Sequence, residues 1–354
     1  MSEKKLMKGN EAIGEAAIKA GCRFFFGYPI TPQNELPAYM ARRLPMEEGV
    51  FLQAESEVSA INMVYGASGA GVRVMTSSSS PGISLKQEGI SYMAGSELPG
   101  VIVNIIRGGP GLGGIQPAQS DYFQATRGGG HGDYRTLVLA PKSVQEAVDL
   151  TQEAFELADK YRNPVLILGD GMIGQMMEPV EFKTSVDPTD LPQKEWATDG
   201  AKDRDPNIIN SLGLQPEGLE DHNLKLKKKY EEMEKNEVRV ETDGVEDADY
   251  VIVAYGTTSR IVMSAINMAR EQGLKVGLIR PISLYPFPMD VIGAASEKAK
   301  FMLTVEMSTG QMVEDVRLAA NGRCPVYFFG RTGGMVPSTK EIYDKLMELA
   351  GGEK

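Results

Sequence analysis

The sequence predicts an α/β protein: a doubly wound, mostly parallel sheet followed by a second, smaller α/β unit. Three observations predict this. Strand-length apolar runs such as "GVIVNIIRGG" and "PVLILGD" are nearly continuous rather than alternating, as in strands covered on both faces. Between them lie stretches with a helical apolar stripe, most clearly "SVQEAVDLTQEAFELADKYR". The alternation recurs at both ends of the chain, the pattern of a parallel sheet with helices packed on it.

The elements follow in order. "GNEAIGEAAIKAG" is amphipathic with a glycine stop and predicts a short helix. "CRFFFGY" is a strand, and "SEVSAINMVYGASGAG" is a helix whose small residues allow close packing. "VRVMTSSS" is a strand, "GISLKQEGISYMAGSE" a helix and "GVIVNIIRGG" a buried strand. The striped helix and "PVLILGD" complete a first domain over residues 1–178. Residues 179–245 are rich in Pro, Asp, Lys and Glu and read as a linker with a charged helix around "LEDHNLKLKKKYEEMEKNEV". Two readings of that helix stand side by side: it lies on a neighbouring subunit or domain with Trp196 as anchor, or it is a solvated surface segment. Residues 246–354 return to alternation, with strands in "YVIVAYGTT", "KVGLIRPISLYPFP" and "FMLTVEMSTGQ" and a helix in "SRIVMSAINMAREQG".

Composition excludes several classes. The net charge of −11 argues against a nucleic-acid binder. Two cysteines, Cys22 and Cys324, far apart and without a CxxC, cannot hold an iron–sulfur cluster or a Cys-type zinc site by themselves. Free thiols fit a reducing cytoplasm. The polar start "MSEKKLMKGNEAIGEAA" lacks the apolar core of a signal peptide, and no stretch of membrane-spanning length is present. Of the two histidines, His222 sits in a charged helix and reads as solvated, and His131 lies in the glycine cluster "RGGGHGDYR". That scarcity makes a Ser-His-Asp hydrolase or a multi-histidine metal enzyme hard to build. "LGDGMIG" resembles the start of a diphosphate-binding motif but lacks the downstream Asn, so Asp170 reads as a turn residue. "GASGAG" and "GGPGLGG" do not form G-x-G-x-x-G, which leaves a dinucleotide-binding oxidoreductase without its fingerprint.

Ligands of such sheets bind beyond the carboxyl ends of the strands. There the sequence offers "GYPITPQ", "LQAESEVSA", "TSSSSPG" and "NIIRGGPG", hence Thr31, Glu55, Glu57, Ser79, Ser80 and Arg107. Carboxylates, a cation and hydroxyls without histidine suit an organic cofactor that carries the hard chemistry. Arg107 is placed to take a substrate carboxylate in bidentate fashion, or to pair with Glu or Asp121 in a structural salt bridge. Glu57 also suits a helix N-terminus. In "GYPITP", Pro29 restrains Tyr28 and Pro32 restrains Thr31, presenting a stiffened hydroxyl at the strand end.

"YPITP", "ESE" opening a helix, and "SSSSPG" followed by "SL-x-QEG" resemble the alpha subunit of 2-oxoacid:ferredoxin oxidoreductases, over almost the whole chain and including "YGTTSR" in the second domain. The wording is most similar to the branched-chain, 2-oxoisovalerate (3-methyl-2-oxobutanoate) type. The resemblance implies a thiamine-diphosphate pyrimidine-binding domain followed by a transketolase-C-terminal-like domain. It implies thiamine diphosphate shared with a beta subunit that carries the diphosphate and Mg2+ site. It also implies [4Fe-4S] clusters on partner chains, gamma and ferredoxin-like delta subunits, ferredoxin as acceptor and coenzyme A as co-substrate. The family glutamate lies nine residues before the glycine of "ESEVSAINMVYG", which selects Glu57 over Glu55; a carboxyl at the pyrimidine nitrogen raises the basicity needed to activate the thiazolium carbon. Thr31 and Arg107 match substrate-binding residues. Tyr28, Pro29, Ile30, Ser79, Ser80 and Gly82 fall where the family meets the cofactor, although "SSSSPG" departs from the usual Thr-Ser-Gly-Pro-Gly. The implied reaction is oxidative decarboxylation of a branched-chain 2-oxoacid to acyl-CoA and CO2. A 2-oxoglutarate enzyme and a non-catalytic structural subunit are the alternatives.

Overall fold

The protein is described by a computed structural model over residues 4–351. The first three residues of the polar N-terminal stretch lie outside the described residues. The strands are β1 (Lys5–Lys8), β2 (Phe24–Gly27), β3 (Val50–Gln53), β4 (Val74–Ser78), β5 (Gly100–Ile106), β6 (Leu137–Leu139), β7 (Pro164–Asp170), β8 (Met177–Val180), β9 (Val240–Asp243), β10 (Tyr250–Val253), β11 (Val276–Pro281), β12 (Ser283–Tyr285), β13 (Phe301–Glu306) and β14 (Val326–Gly330).

Seven strands form the first sheet in the order β12-β6-β7-β5-β4-β2-β3. All its pairings are parallel except β12 on β6. Strands β5 and β7 are buried at every residue, which is why their sequences are apolar on both faces. Helices Glu57–Gly69 and Ser80–Gly95 pack on each other. Gly89 makes that approach possible, because a Cβ there would sit 2.6 Å from the Ile61 side chain. Helices Gly9–Lys19 and Val144–Tyr161 form a second packed pair. The latter starts at Ser143, whose Oγ accepts the Glu146 amide at 3.1 Å.

The second sheet has the order β14-β13-β10-β11-β9, with β9 antiparallel at one edge. Gln119 ties it to the first sheet's loops. Its Nε2 donates to the Tyr255 carbonyl, and its Oε1 accepts from Thr258 Oγ1 and from the Met307 amide.

The segment between the two alternating regions is more structured than a linker. Its first residues complete β8, which pairs antiparallel with β1, and its last ones form β9. The Val186 amide donates to the Lys19 carbonyl, and the Thr198 amide to the Gly69 carbonyl. Trp196 does anchor this segment, but on the same chain: the Arg162 guanidinium lies 4.5 Å from its ring centroid. The charged helix, Pro216–Asn236, buries Leu226, Tyr230 and Met233. Glu97 receives Lys225 and Lys229 from it, and His222 Nε2 sits 2.7 Å from the Gly95 carbonyl. His222 is thus half-buried rather than solvated. No helix of the described residues is long and apolar enough to cross a membrane.

Candidate active site

Because β4 lies between β2 and β5, the carboxyl ends of these three parallel strands share one rim. Beyond β2 the chain turns through Tyr28, Pro29 and Thr31, all exposed, with Ile30 half-buried. Pro32 fixes this turn from below. Its carbonyl accepts from Asn10 Nδ2 at 2.9 Å and from Gln175 Nε2 at 2.8 Å, and the Thr31–Pro32 peptide is cis.

Arg107 follows β5 and is buried, 8% exposed. Its Nη1 donates to the Thr31 carbonyl and its Nη2 to the Leu112 carbonyl, each at 3.1 Å. Its Nε is buried without a partner. Among the described residues no carboxylate lies within ion-pair distance of it. Asp121 accepts from Asn104 Nδ2 at 2.9 Å instead, and burial raises its pKa. A guanidinium held by two neutral carbonyls keeps its whole positive charge, and burying that charge uncompensated is expensive. It is therefore suited to an anion arriving from outside the chain.

Ser80 joins the loop after β4 to Arg107: its Oγ accepts the Arg107 amide at 3.1 Å and donates to the Arg107 carbonyl at 3.3 Å. Next to it the hydroxyls of Ser78 and Ser79 are buried without partners. Ser77 Oγ donates to Gln33 Oε1 at 2.6 Å, leaving Gln33 Nε2 buried and bare.

Glu57 is the first residue of its helix, behind the cap Ser56, whose Oγ accepts the Ser59 amide at 3.2 Å. It is 6% exposed, whereas Glu55 points to solvent. Gly82 lies directly against it: a Cβ there would stand 2.6 Å from Glu57 Oε1 and 2.0 Å from Ser78 Oγ. A chain of neighbours thus runs from Glu57 through Gly82 and Ser80 to Arg107 and Thr31.

Beside Thr31 a groove of about 620 Å³ opens between Glu35, Ile115, Pro117, Met172 and Met176, and no Lys or Arg lines it. Sequence reasoning missed these walls, Gln33 and a buried lysine, Lys86. The signal for Lys86 was present: "SL-x-QEG" carries a lysine one helical turn after Gly82. Asp170 closes β7 as a cap, its Oδ1 accepting the Met172 and Ile173 amides at 2.8 and 3.2 Å. His131 is exposed, its ring edge-on to Tyr92 at 6.0 Å.

Residues 15–244 match the family described as pyruvate flavodoxin/ferredoxin oxidoreductase, thiamine diphosphate-binding, and residues 248–342 match pyruvate:ferredoxin oxidoreductase core domain II. The chain is 51% identical over 348 residues to the ketoisovalerate oxidoreductase subunit VorB of Methanothermobacter marburgensis, covering 98% of each. It is 38% identical over 377 residues to the 2-oxoglutarate synthase subunit KorA of Methanothermobacter thermautotrophicus, covering 99% of this chain and 100% of that one. Among solved structures, the 2-oxoglutarate:ferredoxin oxidoreductase of Magnetococcus marinus, with 2-oxoglutarate, coenzyme A and succinyl-CoA bound, superposes with a TM-score of 0.85 at 29% identity. That alignment covers 98% of this chain but 65% of the other, so the chain spans just under two thirds of that neighbour's length. A split-gene transketolase in an inactive tetramer shares the fold, with a TM-score of 0.60 at 13% identity over 97% of each chain.

Proposed function

The chain belongs to the 2-oxoacid:ferredoxin oxidoreductase family, and we propose that it serves there as the alpha subunit of a branched-chain enzyme. The reaction is 2-oxoisovalerate, coenzyme A and oxidised ferredoxin giving acyl-CoA, CO2 and reduced ferredoxin. The observation that carries this reading is the unpaired, buried Arg107 beside Thr31, joined through Ser80 and Gly82 to Glu57.

The rim fits the aminopyrimidine half of thiamine diphosphate. It offers a buried carboxyl, a glycine that leaves room against it, and the bare hydroxyls of Ser78 and Ser79. When bound, that cofactor supplies the carbanion chemistry that releases CO2 from a 2-oxoacid. Glu57 holds a proton-sharing position at the pyrimidine nitrogen. Tyr28, Pro29 and Ile30, together with Ser79, Ser80 and Gly82, are the further residues that would hold the cofactor's pyrimidine half. Arg107 grips the substrate carboxylate and Thr31 hydrogen-bonds the oxoacid. The turn at Pro32 is already anchored by Asn10 and Gln175, so little reorganisation is needed as charge develops.

The apolar groove beside Thr31, walled by Ile115, Met172 and Met176 with the Glu35 carboxylate at its edge, supports an aliphatic acyl chain over one ending in a second carboxylate. Among the described residues no group of three or more His, Cys, Asp or Glu is placed to hold a metal ion. On the family resemblance we assign Mg2+ and the diphosphate to a beta subunit, and the [4Fe-4S] clusters to beta and ferredoxin-like delta chains, with a gamma chain completing a cytoplasmic complex. Division of the chain into a cofactor domain over 1–178, a connecting segment over 179–245 and a transketolase-C-terminal-like domain over 246–354 belongs to the same reading.

The test is co-purification followed by assay. The chains that accompany this one are identified, and acyl-CoA formation is compared with 2-oxoisovalerate and 2-oxoglutarate. Faster turnover of 2-oxoisovalerate is expected. Preference for 2-oxoglutarate overturns the substrate assignment, and no turnover with either overturns the catalytic one.

A further inference from the structure

We propose that Asp170 is a positioning residue for acyl-chain selection: by capping the one-turn helix Gly171–Gln175 it fixes Met172 as a wall of the groove beside Thr31. This rests on the reading of that groove as the place of the substrate's acyl chain.

Asp170 ends β7 in register with Ile106, the residue before Arg107, and is 3% exposed. A carboxyl group this deep is costly unless its oxygens are met. Its Oδ1 accepts the amides of Met172 at 2.8 Å and Ile173 at 3.2 Å, two of the donors that a helix start leaves over. The Met172 carbonyl in turn accepts the Met176 amide at 2.8 Å. Met172 is thus held through both of its backbone groups.

This helix depends on its cap more than the longer helices do. It has 5 residues, and the first turn is the part of a helix that is most unfavourable to form. Ser56 and Ser143 cap helices of 13 and 18 residues, which continue well beyond that turn.

Gly171, Met172, Gln175 and Met176 all line the groove, but they are held in different ways. Gly171 stands against Pro32 and Pro117, where an added Cβ would be 3.4 Å from Pro32 Cγ and 3.5 Å from the Pro117 Cα. Gln175 Nε2 donates to the Pro32 carbonyl and to Glu35 Oε2, each at 2.8 Å. The Met176 carbonyl accepts the Gly9 amide at 3.1 Å. Behind the helix, Gly9 clears Ile173, since a Cβ on Gly9 would fall 1.8 Å from the Ile173 carbonyl oxygen. Met172 is half-buried, and its amide goes to Asp170. Removing the Asp170 carboxyl group therefore frees the start of the helix while the rest stays seated. The Thr31–Pro32 turn keeps its bond from Asn10, and Arg107 keeps its bonds to the Thr31 and Leu112 carbonyls. The grip on the substrate's carboxylate end survives, and the fit around its chain is lost.

The experiment compares kcat/KM for 2-oxoisovalerate and for pyruvate in the assembled enzyme. The two acids share a carboxylate and a keto group and differ in an isopropyl against a methyl group. Asp170→Ala should lower the ratio of 2-oxoisovalerate to pyruvate by about 2- to 30-fold, the range of a lost helix cap. Asp170→Asn keeps an oxygen acceptor in the same place and should restore the wild-type ratio. Hydrogen–deuterium exchange over residues 171–176 should be faster in Asp170→Ala and unchanged in Asp170→Asn. An equal fall with both acids, which is what a purely structural role produces, leaves the ratio unchanged and overturns the proposal. Asp170→Val fills the buried space without an acceptor and supplies the same comparison if the alanine variant does not assemble. Met172→Ala separates the inference from the reading beneath it. It shortens the wall directly, so the longer 4-methyl-2-oxopentanoate should gain on 2-oxoisovalerate. If it does so while the Asp170 variants keep the wild-type ratio, the groove holds the chain and the role of Asp170 is wrong. If no variant moves any ratio, the groove is not the acyl site and the inference falls with it.

Discussion

The two parallel sheets end in different ways. At the carboxyl rim of the first, the polar groups outnumber their partners: Arg107 Nε, Ser78 Oγ, Ser79 Oγ and Gln33 Nε2 are buried and bare. At the end of β13 in the second sheet, Glu306 is saturated from within. It accepts the amides of Gln311, Met312 and Val313 and the Ser308 hydroxyl. The loops beyond β10 and β13 are then stoppered by Gln119 from the other half of the molecule. One topology thus produces a rim with a bare guanidinium nitrogen and a rim whose carboxylate is met from within, although Thr257 Oγ1 and Thr304 Oγ1 on the second side are also buried without partners. What separates them is side-chain chemistry at the strand ends, which is where function resides in such folds.

Five substitutions sharpen or break that contrast. Arg107→Ala in the assembled enzyme should raise the KM for the oxoacid by the equivalent of about 2–5 kcal/mol, because a buried charge partner is lost. An unchanged KM would mean that the first rim holds no carboxylate there. Glu306→Gln should leave KM alone but lower stability by about 1–3 kcal/mol, read by denaturant unfolding. Burial raises the Glu306 pKa, with the backbone amides opposing it. The folded state therefore holds that proton more tightly than the unfolded one. Its contribution is fullest below 4.5 and falls as the pH rises through the folded value, so the gap between wild type and variant should narrow on going alkaline.

Gly82→Ala tests how tightly the first rim is built. Its Cβ would meet Glu57 and Ser78, and a loss of about 1–3 kcal/mol is expected from overpacking. Gly66, in the Glu57 helix, has nothing within 4 Å of an added Cβ, and Gly66→Ala should stabilise by about 0.5–1 kcal/mol. If both glycines respond alike, the rim has slack. A further effect, of the same size, belongs to a position off both rims. Burial would raise the Glu97 pKa, but Lys225, Lys229 and Arg162 outweigh it and hold it low. Glu97→Gln should cost about 1 kcal/mol above pH 4.5, and the difference should vanish as acid carries the wild type below its lowered folded value.

The first rim was legible in the sequence because strand-end residues are adjacent in both chain and space: Thr31, Glu57, Ser80, Gly82 and Arg107 all sit within a few residues of a strand or helix boundary. The long strands were legible for the same reason that they are stable, since burial on both faces requires unbroken apolar runs. The short strands β1, β8, β9 and β12 were not. "KLMK", "MEPV" and "VETD" have no period of their own and become strands only through the partner that pairs with them. Lys86 was overlooked although it stands inside "SL-x-QEG", because it is a charged residue at a position where the helical pattern calls for an apolar one.

Strand β12 has a further consequence, for synthesis. It comes from the C-terminal part of the chain yet completes the first sheet by pairing with β6, whose three residues are fully buried. On the ribosome, Leu137–Leu139 emerges long before Ser283–Tyr285, so the nascent first half carries an uncovered apolar edge until most of the chain has been made. Such an edge is a template for pairing with other chains. Expression of the first half alone should therefore yield aggregates, and supplying residues 246–351 in trans should rescue its solubility.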